Sequence, residues 1–155
     1  MFRTKVVLFL TAVVLLFPAT GYSAGYGLGI DVIRLVDKNQ DGGMTNVYWQ
    51  HGLSRDSALI LGYSSGDDLT IIDAAYKHYF GAYTNSVFLQ LGAGYYDGRN
   101  DSDLGLVAAI GYERRLARHL AASGSVRMIA DVDEHLIGQR ETPVFQPTLG
   151  LMLVF

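Results

Sequence analysis

Hydrophobic residues recur at every second position in eight stretches between Tyr26 and Phe155, and that period constrains the fold more than any other feature. A strand sends successive side chains to opposite faces, so a period of two means one apolar and one mixed face. The last stretch shows it best. In Val144–Phe155, residues Phe145, Leu149, Leu151, Leu153 and Phe155 share one phase, and Gln146, Thr148, Gly150 and Met152 share the other. The other seven are Tyr26–Val36, Met44–Leu53, Ser57–Ser64, Thr70–Phe80, Ser86–Tyr96, Leu104–Arg115 and Leu120–Asp131. Helix competes poorly: glycines interrupt almost every segment, and tyrosine, valine and isoleucine favour strands.

The two faces decide which side of the sheet is inside. One carries Leu59, Leu61, Tyr63, Ile72, Ala74, Tyr76, Phe80, Val87, Leu89, Leu91, Tyr95, Leu104, Leu106, Ala108, Ile110 and Tyr112. The other carries Asp73, Lys77, Gln90, Gly92, Gly94, Gly105, Gly111, Glu113, Ser123, Ser125, Arg127 and Asp131. Charges and glycines together suit a cramped interior, and an apolar exterior suits lipid. Most segments approach the roughly nine to eleven residues that cross a bilayer as a tilted strand. The fold class is therefore all-β, an eight-stranded antiparallel up-and-down transmembrane β-barrel. Short turns (Ser54–Asp56, Gly81–Asn85, Leu116–His119) alternate with longer or more polar ones (Asp37–Gly43, Ser65–Leu69, Asp97–Asp103, Val132–Pro143), as in barrels with both termini in the periplasm. Outward aromatics cluster at both ends as two girdles: Tyr26, Phe80, Tyr112 and Phe155 at the short-turn end, Tyr63, Tyr95 and Phe145 at the other.

Two residues fit this pattern badly. Arg34 falls on the apolar phase of the first segment, which predicts a bulge or a position at the headgroup rim. Pro147 removes a ladder bond from a strand that a closed barrel leaves without an edge, which predicts a bulge or a frayed outer end.

Residues 1–24 read as a secretory signal peptide: basic Arg3 and Lys5, a largely apolar run Val6–Phe17, then Pro18 and small residues. The mature start is placed between residues 22 and 26, and the barrel domain over 25–155. The apolar run is shorter than the roughly twenty residues of a spanning helix. With no cysteine, disulfides and thiolate metal sites are excluded. Loss of Arg3 and Lys5 leaves ten basic against fifteen acidic residues, a balance that argues against nucleic acid.

The pieces Gly92-Ala93-Gly94-Tyr95-Tyr96 and Ile110-Gly111-Tyr112-Glu113, with the closing Phe155, resemble the small eight-stranded outer-membrane proteins of the OmpA transmembrane-domain, OmpX and opacity-protein type. The resemblance implies location in the bacterial outer membrane, with outer-membrane lipid and lipopolysaccharide as surroundings. It implies assembly by periplasmic chaperones and the barrel-assembly machinery, with Phe155 as the assembly signal. It also implies a monomer, with no peptidoglycan-binding domain expected after the barrel. Members of that group include structural proteins, adhesins and lipid-modifying enzymes, so fold leaves function open.

Residues that could carry chemistry are few. Asp37–Gly43 imitates the start of a calcium loop, but Tyr48 stands where the bidentate acid belongs, so a glycine-closed turn is preferred. The long loops hold Asp37, Asp41, Asp67, Asp68, Asp97, Asp101, Asp103, Asp133, Glu134 and Glu141, whereas Arg55, Arg114, Arg115 and Arg118 lie at the short turns. An acidic outer rim could gather divalent cations, although solvated loop charge is the plainer reading. Asp31, Asp73, Lys77, Glu113, Arg127 and Asp131 are expected in the lumen, where charges must pair, as an ion-pair plug. Among the histidines His51, His78, His119 and His135, only His135 shares a long loop with acids. The candidate serines Ser64, Ser65 and Ser102 are elsewhere, and a catalytic arrangement is not favoured. No cofactor or metal is expected. The reading is a non-enzymatic outer-membrane barrel with a structural or surface-interaction role; the alternatives are a lipid-modifying enzyme, a periplasmic lipocalin-like carrier, or a narrow channel.

Overall fold

The computed structural model describes residues 24–36, 43–133, 136 and 143–155, so the signal segment, most of the first loop and the tip around His135 lie outside the described residues. Eight antiparallel strands follow one another around a closed barrel: β1 (Ala24–Asp31), β2 (Thr45–Gly52), β3 (Ser57–Ser65), β4 (Leu69–Tyr79), β5 (Ser86–Gly98), β6 (Ser102–Ala117), β7 (Leu120–Ala130) and β8 (Val144–Val154). Closure is made by β1 against β8, from Gly27 opposite Val154 to Asp31 opposite Gly150. A short helix, α1 (Val32–Leu35), follows β1. Both described ends of the chain and the turns at 53–56, 80–85 and 118–119 lie at one end, the terminal end; the remaining connections form the loop end.

The alternation appears as burial. Along β4, Ile71, Asp73, Ala75, Lys77 and Tyr79 are buried, while Ala74 and Tyr76 between them are exposed. Leu91, Leu104, Leu106, Ile110 and Leu153 are each more than half exposed, and Lys77 and Glu113 are at 3% and 1%. The charged phase is inside and the apolar phase outside.

Both misfits come from one local event. β1 stops at Asp31 rather than reaching Val36, because the Asp31 side chain accepts a hydrogen bond from the Ile33 amide (3.0 Å) and caps α1. Asn46 clasps the same corner: its Oδ1 accepts from the Asp31 amide at 2.6 Å, and its Nδ2 donates to the Asp31 carbonyl at 2.8 Å. Arg34 is thereby carried to Ser64 and Asp73, which corrects both the bulge and the rim expected for it. With β1 gone, the outer half of β8 lacks a β1 partner. The Leu149 amide turns to Asp31 Oδ1 (3.3 Å), and Pro147, two residues back, shares that unpaired side. Pro147 stays in register opposite Val126 without the bulge expected for it. Two of the connections read as longer or more polar are tight turns: Gly66 donates to the Leu69 carbonyl and Gly98 to that of Asp101, both at 2.9 Å.

Inward glycines make room for large side chains. A Cβ on Gly29 would overlap the Tyr48 ring and approach the Leu151 carbonyl to 2.7 Å, whereas one on Gly124 meets nothing within 4 Å. Gly29→Ala is expected to cost about 1–3 kcal/mol through overpacking. Gly124→Ala should change stability by no more than about 0.5 kcal/mol. Urea unfolding of the two variants side by side checks this.

Candidate functional site: the barrel lumen

The lumen is filled in layers. At the loop end Met44, Leu69, Ile71, Tyr96, Ile129, Val132 and Val144 form an apolar cluster, joined by Leu136.

Below is a polar layer. Arg34 donates through Nη1 to Ser64 Oγ (2.6 Å) and lies 3.5 Å from Asp73 Oδ2. A cavity of about 50 Å³ is walled by Asp31, Asp73, Arg34 and Arg127, with Ser123, Ser125 and Thr148. That is room for a few waters at most. Asp31 Oδ2, Arg127 Nε and the Tyr96 hydroxyl are buried without a hydrogen-bond partner among the described residues.

A second network lies toward the terminal end. Lys77 Nζ pairs with Glu113 Oε2 and donates to Gln50 Oε1 at 3.3 Å. The Tyr79 hydroxyl donates to Glu113 Oε1 at 2.7 Å and accepts from Gln50 Nε2 at 2.8 Å. The ammonium sits 3.9 Å from the Phe88 ring centroid, a cation–π contact in a desolvated setting. Tyr83 closes the layer, its hydroxyl donating to the Gly25 carbonyl at 3.0 Å. Burial raises the Tyr83 phenol above its ordinary pKa, so it remains a neutral donor at neutral pH.

The lumen residues read from the sequence thus fall around two ion pairs that border one cavity, with Lys77 lining it from the terminal side. Lys77 and Glu113 meet. Asp31, Asp73 and Arg127 share the cavity wall, with Arg34 as the ion-pair partner of Asp73. Asp131 is not among them: β7 ends at Ala130, and Asp131 turns with φ 57° into an exposed position. Asp tolerates that left-handed conformation better than most residues, and the turn takes it off the inward phase. Arg34, Gln50 and Tyr79 were missed. Tyr79 is the next inward position after Lys77, so continuing the period would have found it; Arg34 gave no such signal, since a helical turn breaks its phase.

The girdle residues all lie on the outer face. Tyr26, Phe80, Tyr112 and Phe155 are at the terminal end, Tyr63, Tyr95 and Phe145 at the other, and all but the partly covered Tyr95 are exposed. Trp49 adds to the first set, stacked on His51 (5.4 Å between centroids), which stacks on Tyr26 (4.8 Å). His78 packs edge-on against Phe80, and His119 Nδ1 lies 3.0 Å from the Val154 carbonyl. Ser64, buried beside Arg34, is committed to the lumen. Glu134, His135 and Glu141, with Asp37 and Asp41, lie outside the described residues.

No family model matches this chain, and no curated protein matches it. Among solved structures, it is similar to the N-terminal β-barrel domain of Pseudomonas aeruginosa OprF, with a TM-score of 0.64 at 11% identity over 84% of this chain and 97% of that one. At such identity the likeness is one of fold: a closed eight-stranded antiparallel barrel.

Proposed function

We propose that this chain is an integral protein of the bacterial outer membrane with a structural or surface-interaction role, its lumen plugged by its own ion pairs. One observation carries the reading: apolar side chains face outward around the barrel while Lys77, Glu113, Asp73 and Arg34 are turned inward. A barrel dissolved in water has no reason to expose Leu104 and Leu106 while burying Lys77. The same orientation counts against a lipocalin-like carrier, since a charged cavity of about 50 Å³ cannot hold a lipid. It also counts against a channel, because ion pairs and an apolar layer occupy the path.

In this reading a leader segment takes the chain to the periplasm, chaperones and the barrel-assembly machinery receive it, and the exposed Phe155 at the end of β8 is the assembly signal. The inserted protein is a monomer in lipid and lipopolysaccharide. Its loop end bears Asp67, Asp68, Asp97, Asp101, Asp103 and Asp133, with Arg99 held 2.7 Å from Asp68. That acidic rim is the surface through which a partner or bridging cations would act. We expect the protein in the detergent-soluble outer-membrane fraction, with a gel band that changes mobility on boiling. A soluble periplasmic product with one band, boiled or not, would overturn the proposal.

A further inference from the structure

Three arginines crowd the tip of one hairpin, and none of them is in an ion pair among the described residues. β6 is 16 residues long, and its pairing with β5 ends at Glu113 opposite Ser86. Arg114–Ala117 continue past that point, paired with β7 alone through a bulge between Arg115 and Ala117. The β6–β7 hairpin therefore overhangs the terminal end, and residues 114–119 are all exposed. None of the ion pairs formed among the described residues uses Arg114, Arg115 or Arg118. Glu113, the nearest acid in the chain, is committed to Lys77.

Depth gives these charges a use. Leu104, Leu106, Ile110 and Tyr112 are the lipid-side phase of β6, and Arg114 is the next residue in it. At about 3.3 Å per residue, Arg114 lies about 7 Å along the strand beyond the girdle residue Tyr112. Interfacial aromatics sit at headgroup level, so the guanidinium just past one reaches the phosphates. Arg118, in the turn beyond, and Arg115, on the opposite phase, both border the wide recess at the barrel mouth with Asp56, His119 and Tyr83, and both are exposed. A guanidinium fork matches phosphate oxygens better than any other side chain.

We propose that the tip of the β6–β7 hairpin, through Arg114 and Arg118, binds the headgroups of anionic phospholipids in the leaflet at the terminal end. The proposal rests on the membrane reading above. Charge on an overhanging strand also discourages edge-to-edge pairing, a role that needs no lipid, so the test must separate the two.

The full chain would be refolded into bilayers of phosphatidylcholine mixed with phosphatidylglycerol, with either lipid brominated in turn. A Trp49→Phe, Ile110→Trp background places one fluorophore on the outward face of β6. Phosphatidylglycerol is expected to quench with an apparent affinity on the order of fivefold above phosphatidylcholine, the weight of one arginine near an anionic surface. Arg114→Gln with Arg118→Gln should abolish the preference, as should high salt. Arg99→Gln at the loop end should leave it. Equal quenching by the two lipids with the arginines in place would overturn the headgroup site while leaving the membrane reading intact. No quenching by either lipid would overturn the membrane reading and the site with it.

Discussion

Glu113→Gln is expected to cost about 3–5 kcal/mol of unfolding free energy, the largest effect of any single substitution in the lumen. Lys77 is 3% exposed and Glu113 1%, so neither can turn to water when the other is lost. Removing the carboxylate charge leaves the ammonium with the Gln50 carbonyl oxygen at 3.3 Å and the Phe88 face, which satisfy a donor but not a full charge. The Tyr79 hydroxyl loses a charged acceptor in the same step. Lys77→Met combined with Glu113→Gln should recover most of the loss, because exchanging both members of a buried pair for neutral groups is often neutral. Urea titration of vesicle-inserted protein, read from the heat-sensitive gel band, measures all three. A single variant within about 1 kcal/mol of the parent would show the pair to be solvated, and the lumen would then be no plug.

This network also marks how far the sequence could be read. The period of two sorted Asp73, Lys77 and Glu113 onto one phase, and strand limits agree to within two residues except at the end of β1. The pairing itself was not legible. Lys77 on β4 and Glu113 on β6 are not ladder partners; they meet across the interior with β5 between them, in a register set by the whole barrel. The end of β1 was hidden for a similar reason. Val32 and Ile33 are β-branched and look like more strand, and what stops the strand is Asp31, held by Asn46 fifteen residues away. Once that corner is known, Arg34 and Pro147 cease to be anomalies. Asp131 failed differently: its phase was right but the strand ended one residue too soon.

Leu91→Arg should be costly for the opposite reason, because its side chain has nowhere to go but lipid. Leu91 is 54% exposed and lies opposite Tyr76 on β4 and Ala108 on β6. It is equidistant in sequence from Val87, near the terminal girdle, and Tyr95, in the loop-end one. An arginine midway between two girdles must desolvate or drag water inward, at a cost of about 2–4 kcal/mol. Val87→Arg, close to the headgroups, should cost about 0–1 kcal/mol, since its side chain can snorkel. The contrast is the informative quantity. In a barrel surrounded by water both positions are exposed surface, and both substitutions would fall within about 0.5 kcal/mol of the parent. Unfolding the two variants in vesicles therefore tests the solvent around the barrel independently of fractionation. A clear depth dependence would support lipid, and equal small effects would remove the reason to place this barrel in a membrane.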